Sequence, residues 1–331
     1  MAVLASNYPT FADLASRMDQ NGRIVNVIEV LRQTNPILSD MRFAECNKED
    51  GYLTSVRTGL PEPTWRKLYG GVQPSKSQTA TVTDTCGNLE AYSEIDKDLA
   101  DINGNSAAWR ASEEEAFLQA MNNSMAETLI YGDTAKNPER FLGLSARYSS
   151  LKAKNGRMII DAGGTGSANN TSVWFVSWGA GVTGIYPKGS QAGLKAEDLG
   201  QVTITKSDGS LYEAYRTHFK WSIGLSVRDW RAVSRVANIN VDDLKSLSNT
   251  AANQALIYKL IDAKNALDPQ YRGAAVMYCN RDVTTALEKM ALDKSCSALS
   301  IVEAAGQFET RFFGIPVRTC DAILNTEKAV A

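Results

Sequence analysis

One histidine, His218, stands in a chain of 331 residues. Acyl transfer needs a nucleophile activated by a neighbouring base, so any Ser-His or Cys-His pair would have to use it. His218 lies in the alternating segment Tyr215 to Trp221, where it reads as a structural residue on one strand face. The five cysteines (Cys46, Cys86, Cys279, Cys296, Cys320) are scattered with no CxxC pair. They are predicted to be reduced thiols, mostly buried as small apolar side chains. Neither residue type supplies a metal-ligating cluster. Walker, Rossmann and HExxH patterns are missing too, so no catalytic, cofactor-binding or metal-ligating residue is predicted. A net charge of -2 leaves no basic excess, which argues against sequence-specific DNA binding, because neutralising phosphates dominates that affinity. The most apolar runs, such as Val173 to Trp178, are far too short to span a membrane, and no basic-then-apolar leader opens the chain. Acidic pairs such as Asp242-Asp243 indicate nothing by themselves.

What the chain does have is a long extended stretch from Gly51 to Asp84 with no evident way to bury itself. Pro61, Pro63 and Pro74 rule out a helix through most of it. The flanks, Tyr52 to Thr58 and Ser77 to Thr83, alternate small polar and β-branched residues as a two-stranded ribbon does. An isolated hairpin is marginal in water, and this one carries Trp65, Leu68 and Tyr69 near its tip. Those side chains need a surface, and a neighbouring copy of the same protein is the natural candidate. The ribbon carries Arg57, Arg66, Lys67 and Lys76 against Glu62, and the next stretch, Asp84 to Asp101, is acidic apart from Lys97. Such complementarity would steer one copy onto another; the plainer alternative is that both are solvated faces.

Elsewhere the pattern is mixed α and β. Residues 1–45 read as an arm, with Ile24, Val27, Ile28 and Leu31 at helical spacing. Ser112 to Glu115 reads as a capping box, opening a helix that runs to Tyr131 with Gly132 as its stop. Phe117, Met121, Met125 and Leu129 form its stripe, as on a spine laid along a sheet. Residues 151–171, with the glycine-rich run GGTGSANN inside, read as a flexible surface loop, since no GK[ST] follows. Strands are predicted at Val173 to Trp178, Leu211 to Phe219 and Trp221 to Val227, with Gly224 at a bulge or close contact. Arg228-Asp229-Trp230-Arg231 reads either as an interface ion-pair knot or as a strand end with a packed tryptophan. Leu244 to Leu267 reads as helix, Ala274 to Cys279 as a buried strand, and Asp282 as the cap of a helix through Met290. Arg311 to Ile323 is predicted to be a strand broken by Gly314 and Pro316, lying at a sheet edge or at a bulge.

The ribbon, the spine helix followed by NPERFLGL and the terminal FFGIPVRTCDAI together resemble the major capsid proteins of tailed bacteriophages. WRKLYGGVQPSKS and YPKGSQAGL are similar to stretches in one group of short-tailed phages and related prophages, a Bordetella phage among them. The resemblance implies an α+β fold with an N-terminal arm (1–45), an extended loop and its flank (46–101) and a peripheral domain with the spine helix (102–240). An axial domain (241–310) and a C-terminal strand returning to the sheet (311–331) complete it. In the family's usual order the segment resembling Trp174 to Trp230 follows the Gly-x-Pro-Val strand; here it precedes it, so a rearranged strand order is expected. The implied function is an icosahedral shell of hexamers and pentamers around double-stranded DNA. Subunit contacts are expected at Arg57, Trp65, Arg66, Lys67, Tyr69, Asp98, Glu113, Arg228 and Asp229. Implied partners are further copies, a separate scaffolding protein, a portal at one vertex, a decoration protein and DNA held non-specifically, with no membrane and no cofactor. The implied location is the virion, assembled in the host bacterial cytoplasm. A bacterial nanocompartment shell, a tail or adaptor protein and an unrecognised α+β enzyme are the competing readings.

Overall fold

The computed structural model describes residue 9 and residues 33–49, 51–102, 106–165, 169–206, 208–245, 250–292, 299–304 and 307–331. The helical stripe expected at Ile24 to Leu31, the centre of the glycine-rich loop (166–168) and Cys296 lie outside the described residues. Strands are numbered in chain order: β1 (Phe43–Glu45), β2 (Tyr52–Gly59), β3 (Gln78–Asp84), β4 (Cys86–Asp96), β5 (Ile159–Asp161), β6 (Asn170–Ser177) and β7 (Val182–Tyr186). They continue with β8 (Leu194–Thr205), β9 (Leu211–Val227), β10 (Val233–Asn240), β11 (Ala275–Cys279), β12 (Leu299–Ala304), β13 (Gln307–Phe312) and β14 (Ile315–Thr319). The chain clusters into two compact units, neither continuous in sequence.

The smaller unit takes Met1–Gln33, Asn88–Ala126 and Gly193–Ser222. In it β8 and β9 form a long antiparallel hairpin, registered from Leu194↔Trp221 to Thr205↔Leu211, with an irregularity between Asp198 and Gly200. Its described core is Ile95, Leu99, Ala100 and Trp109, with Tyr215 packed against them. Phe117 of the spine helix stacks on Phe219 at 5.9 Å. Charges are paired locally: Arg110 with Asp198 at 2.5 Å, Arg216 with Glu94 at 2.5 Å, and Lys220 with Glu90 at 2.7 Å.

The larger unit takes Thr34–Gly87, Glu127–Ala192 and Ile223–Ala331. Its main sheet has the order β12-β13-β14-β11-β6-β10-β5. Every residue of β6 is buried between β10 and β11, its apolar stretch Val173–Val176 and its polar Asn170, Thr171, Ser172 and Ser177 alike. The helix Arg281–Leu292 covers this sheet through Val283, Ala286, Leu287 and Met290, an i, i+3, i+4, i+7 stripe. Across β6 and β10 lies a buried ion pair, Arg235 with Glu327, at 2.8 Å.

The spine helix is longer at its start than the sequence suggests. It spans Ser106–Tyr131, or about 39 Å at 1.5 Å per residue. Ser112 and the three glutamates are therefore interior, because burial of Trp109 (1% exposed) among Ile95, Leu99 and Ala100 makes the preceding turns helical. The stop at Gly132 holds: a Cβ there would lie 2.3 Å from the Phe141 carbonyl. Phe141 and Leu144 are buried just beyond it, and Gly143 donates to the Gly132 carbonyl at 2.9 Å. This is why Phe-Leu-Gly-Leu follows the spine.

Four local expectations are corrected. The loop read over residues 151–171 contains β5, which pairs in parallel with β10 in the main sheet, with Met158 and Ile159 buried. The two strands read at Leu211–Phe219 and Trp221–Val227 are one, β9; Lys220 between them pairs with Glu90 rather than interrupting the ladder. Asn280, not Asp282, caps the helix Arg281–Leu292, since its Oδ1 accepts from the Val283 amide at 2.9 Å. The broken strand expected at Arg311 to Ile323 is a hairpin. Phe313 (φ 48°) and Gly314 (φ 82°) form its two-residue turn, and β14 lies between β13 and β11. Pro316 precedes the register with β11, which starts at Val317, so its missing N–H costs no bond on that side.

Candidate functional site

The ribbon is as drawn from the sequence. β2 and β3 pair antiparallel from Tyr52↔Asp84 to Gly59↔Gln78, with a register shift between Arg57 and Gly59, and the pair joins no other strand. Six of the seven β3 residues are exposed. At the tip Trp65 is 102% exposed, Leu68 84% and Tyr69 104%, and Tyr69 has a left-handed φ of 64°. Arg66 and Lys67 are exposed beside them. Large apolar side chains with no contact in their own chain are the signature of a surface awaiting a partner.

The root, by contrast, is tied down. Asp84, 4% exposed, accepts from Arg147 Nη2 at 2.7 Å, and the same nitrogen donates to the Leu225 carbonyl at 3.0 Å. Asn47 brackets Leu53, accepting from its amide at 2.7 Å and donating to its carbonyl at 2.8 Å. Gly51 leaves no room for a side chain, because a Cβ would lie 2.3 Å from the Asp84 carbonyl. Beneath this, Cys46 Sγ and Cys86 Sγ are 3.6 Å apart. Burial, then the neighbouring thiol, pushes Cys86 up to about 12.

The expected contact residues fall into three places. Trp65, Arg66, Lys67 and Tyr69 share the tip. Arg57 and Arg228, with Asp229, line an open groove at the root together with Arg157 and Trp230. Asp98, exposed in the short helix Lys97–Asp101, and Glu113, half-buried on the spine helix, belong to the smaller unit. Asp229 is satisfied within its own chain: Arg231 holds it at 2.7 Å, Tyr271 donates to it at 3.1 Å, and Arg231 also reaches Asp268 at 3.0 Å. Burial works to raise its carboxyl, but the Arg231 and Tyr271 hydrogen bonds outweigh this and hold it below the usual range. Two residues went unnoticed in the sequence. Arg157 lies over the Trp230 ring at 4.7 Å, and Tyr52 lies under Arg228 at 4.5 Å; neither carries a local sequence signal.

His218 is committed to a strand face, stacked on Tyr92 at 4.4 Å with Nε2 3.3 Å from Glu90. Among the described residues no His, Cys, Asp and Glu group could hold a metal ion, and no helix is long and apolar enough to cross a membrane.

Among the described residues the most exposed large apolar side chains, Trp65, Leu68, Tyr69 and Leu60, sit on the ribbon and its tip, as on a subunit that is completed by other molecules. That class is given a family by comparison: Major capsid protein GP7 matches residues 19–331, and the chain belongs to it. A chain from the structure of bacteriophage Epsilon15 is 38% identical, with a TM-score of 0.81 over 100% of this chain and 99% of that one. The bacteriophage JBD30 capsid (10% identity, TM-score 0.49, 90% of this chain and 95% of that one) is a fainter likeness. So is an encapsulin from Synechococcus elongatus (10%, 0.42, 69% and 95%), and neither carries weight. No curated protein matches the sequence. The protein is thus a tailed-phage major capsid protein, a structural component of the virion shell built from its own copies and not an enzyme.

Proposed function

We propose that the shell forms through hexamers and pentamers in which each ribbon lies across the adjacent subunit, with Trp65 and Tyr69 as its anchors. The observation that carries this is the full exposure of both side chains on a ribbon whose root is fixed. Aromatic side chains with polar tips are the usual interface anchors. Arg57, Arg66 and Lys67 are assigned to acidic partners such as Asp98 and Glu113 of a neighbour, each such rim pair contributing roughly 0–1 kcal/mol. Residues 1–45 act as the arm, 46–101 as the extended loop, 102–240 as the peripheral surface and 241–310 as the axial surface. The segment 311–331 closes the sheet. Strands from three of these segments share the main sheet, so the division concerns which surface meets which neighbour rather than independent folding. A net charge of -2 suits a container whose DNA is enclosed non-specifically and must leave again. A separate scaffolding protein, a portal at one vertex, a decoration protein and assembly in the host cytoplasm complete the reading.

Negative-stain electron microscopy of the purified chain, with and without scaffold, tests it directly: closed shells are expected, and rings, tubes or persistent monomers would refute it. Trp65→Ala should leave the monomer's melting temperature unchanged while abolishing shells. A variant that unfolds instead would place Trp65 in its own chain's core.

A further inference from the structure

We infer that the groove at the ribbon's root is a second docking site, which receives the acidic segment Asp96 to Asp101 of a neighbouring copy. This rests on the shell reading above and narrows it: Asp98 goes to Arg57 and the other arginines at the root, which leaves Arg66 and Lys67 at the tip to other carboxylates. The groove is lined by β2 from Ser55 to Gly59 and the following Leu60, by Arg157 and by the segment Arg228–Arg231. Its one carboxylate, Asp229, is already taken by Arg231, which also holds Asp268. Arg57, Arg157 and Arg228 form no ion pair among the described residues. Two of them are instead laid over aromatic rings, Arg157 on Trp230 and Arg228 on Tyr52. Arg228 Nε is buried with no hydrogen-bond partner. A guanidinium offers a planar fork that matches a carboxylate, and leaving its buried N–H unpaired is unfavourable.

The occupant is read from the carboxylates that the fold itself leaves over. Along the acidic stretch, Glu90 is paired with Lys220 and His218, and Glu94 with Arg216. Asp198 on the facing strand is paired with Arg110. Asp96, Asp98 and Asp101 are exposed and form no ion pair among the described residues. Asp96 caps the short helix by accepting from the Asp98 amide at 2.9 Å, which presents the Asp98 side chain outward. Among the described residues Asp101 accepts only from Tyr215 Oη, at 3.4 Å. Cations without a carboxylate in one place and carboxylates without a cation in another, on a protein that assembles with itself, are complementary halves of one contact.

The experiment uses the full chain with Arg157→Glu and Asp98→Arg, singly and combined, scored by assembled fraction in sedimentation and by microscopy. Each single reversal should lower the assembled fraction by roughly tenfold or more, since each contact recurs in every subunit of the shell. The double reversal should restore it to within about twofold of the parent. Melting of the unassembled subunit should be unchanged throughout, because both residues are exposed. If Arg157→Glu melts early, Arg57→Glu replaces it. Singles that assemble like the parent, or a double as defective as either single, would overturn the contact while leaving the shell reading intact. Binding of a short DNA duplex by the unassembled subunit that Arg157→Glu abolishes would also overturn it, assigning the groove to phosphate. A parent chain that never forms shells would sink the underlying reading as well.

Discussion

Removing one carboxylate from the larger unit should cost more than removing the whole ribbon tip. Glu327, 7% exposed, faces Arg235, 2% exposed, across β6 and β10. Its Oε2 accepts from Arg235 Nη2 at 2.8 Å and from Ser172 Oγ at 2.5 Å. Its Oε1 accepts from Tyr131 Oη at 2.5 Å. Burial, then the Glu327 charge, pushes the Tyr131 phenol far above its ordinary range, so it remains a donor at any working pH. Arg235 keeps two other partners, the Tyr148 carbonyl at 2.8 Å and the Trp174 ring at 4.8 Å. Neither of these carries a full negative charge.

Glu327→Ala therefore strands a buried guanidinium, which typically costs about 3–5 kcal/mol, a large share of the roughly 5–15 kcal/mol that holds a domain folded. At roughly 2–4 °C per kcal/mol for domains of 150–250 residues, the melting temperature should fall by on the order of 10 °C. The control is the apolar pair Arg235→Met with Glu327→Leu, which removes both charges and should cost far less, because replacing a buried pair by packed apolar groups is often neutral. Urea and thermal unfolding of unassembled subunits are the assays. A Glu327→Ala melt within about 2 °C of the parent would show that the charge is not held where the distances place it. A double variant as unstable as the single would show that the loss comes from the C-terminal segment's packing and not from electrostatics.

Two further outcomes follow from burial and space. Cys86, pushed up to about 12, should react with iodoacetamide at pH 8 on the order of a thousandfold more slowly than an exposed thiol of ordinary pKa, because only the thiolate attacks. Its raised pKa also means that its contribution to stability is intact below about pH 9, the unfolded value, and is lost as pH climbs towards 12; labelling as fast in the folded as in the urea-unfolded chain would contradict both. Gly224→Ala should destabilise by about 1–3 kcal/mol, since its Cβ would lie 2.4 Å from the Thr85 carbonyl and 3.1 Å from Cys86 Cα. Gly71→Ala, with nothing within 4 Å, should be neutral, and equal urea midpoints for the two would refute the steric account.

The ribbon was legible because its signals are local: alternation in the flanks, prolines between them, and aromatics with nowhere to go. Phe-Leu-Gly-Leu was legible only through the family resemblance, and the structure supplies its reason, a glycine demanded by the turn that closes on Gly132. What escaped depends on distant packing. The capping box at Ser112 is a sound local motif overridden by the burial of Trp109. Asn280 and Asp282 are equally good caps in sequence, and only the fold decides that the first reaches the Val283 amide. A phenylalanine at positive φ opposes residue preference, so the Phe313-Gly314 hairpin could not be inferred from Gly-x-Pro-Val alone. The root groove joins Arg57, Arg157 and Arg228, residues that no sequence window contains together.

On the contacts proposed above, the energetics would keep the single subunit dispersed until a ring can close. Burying Trp65, Leu68 or Tyr69 against a neighbour is worth about 1.5–3 kcal/mol each, while bringing two proteins together costs roughly 4–15 kcal/mol in lost freedom. One ribbon on one neighbour would therefore yield little or nothing, and the isolated subunit is expected to stay dispersed although Trp65 and Tyr69 are fully exposed. In the proposed ring each subunit would both give and receive a ribbon, and the later contacts would form at high effective concentration. The same weak contact then becomes decisive. A stronger tip would make pairs as stable as rings and trap incomplete shells, so the ribbon's modest apolar content, offset by Arg66 and Lys67 between its anchors, is what the assembly of a closed container requires.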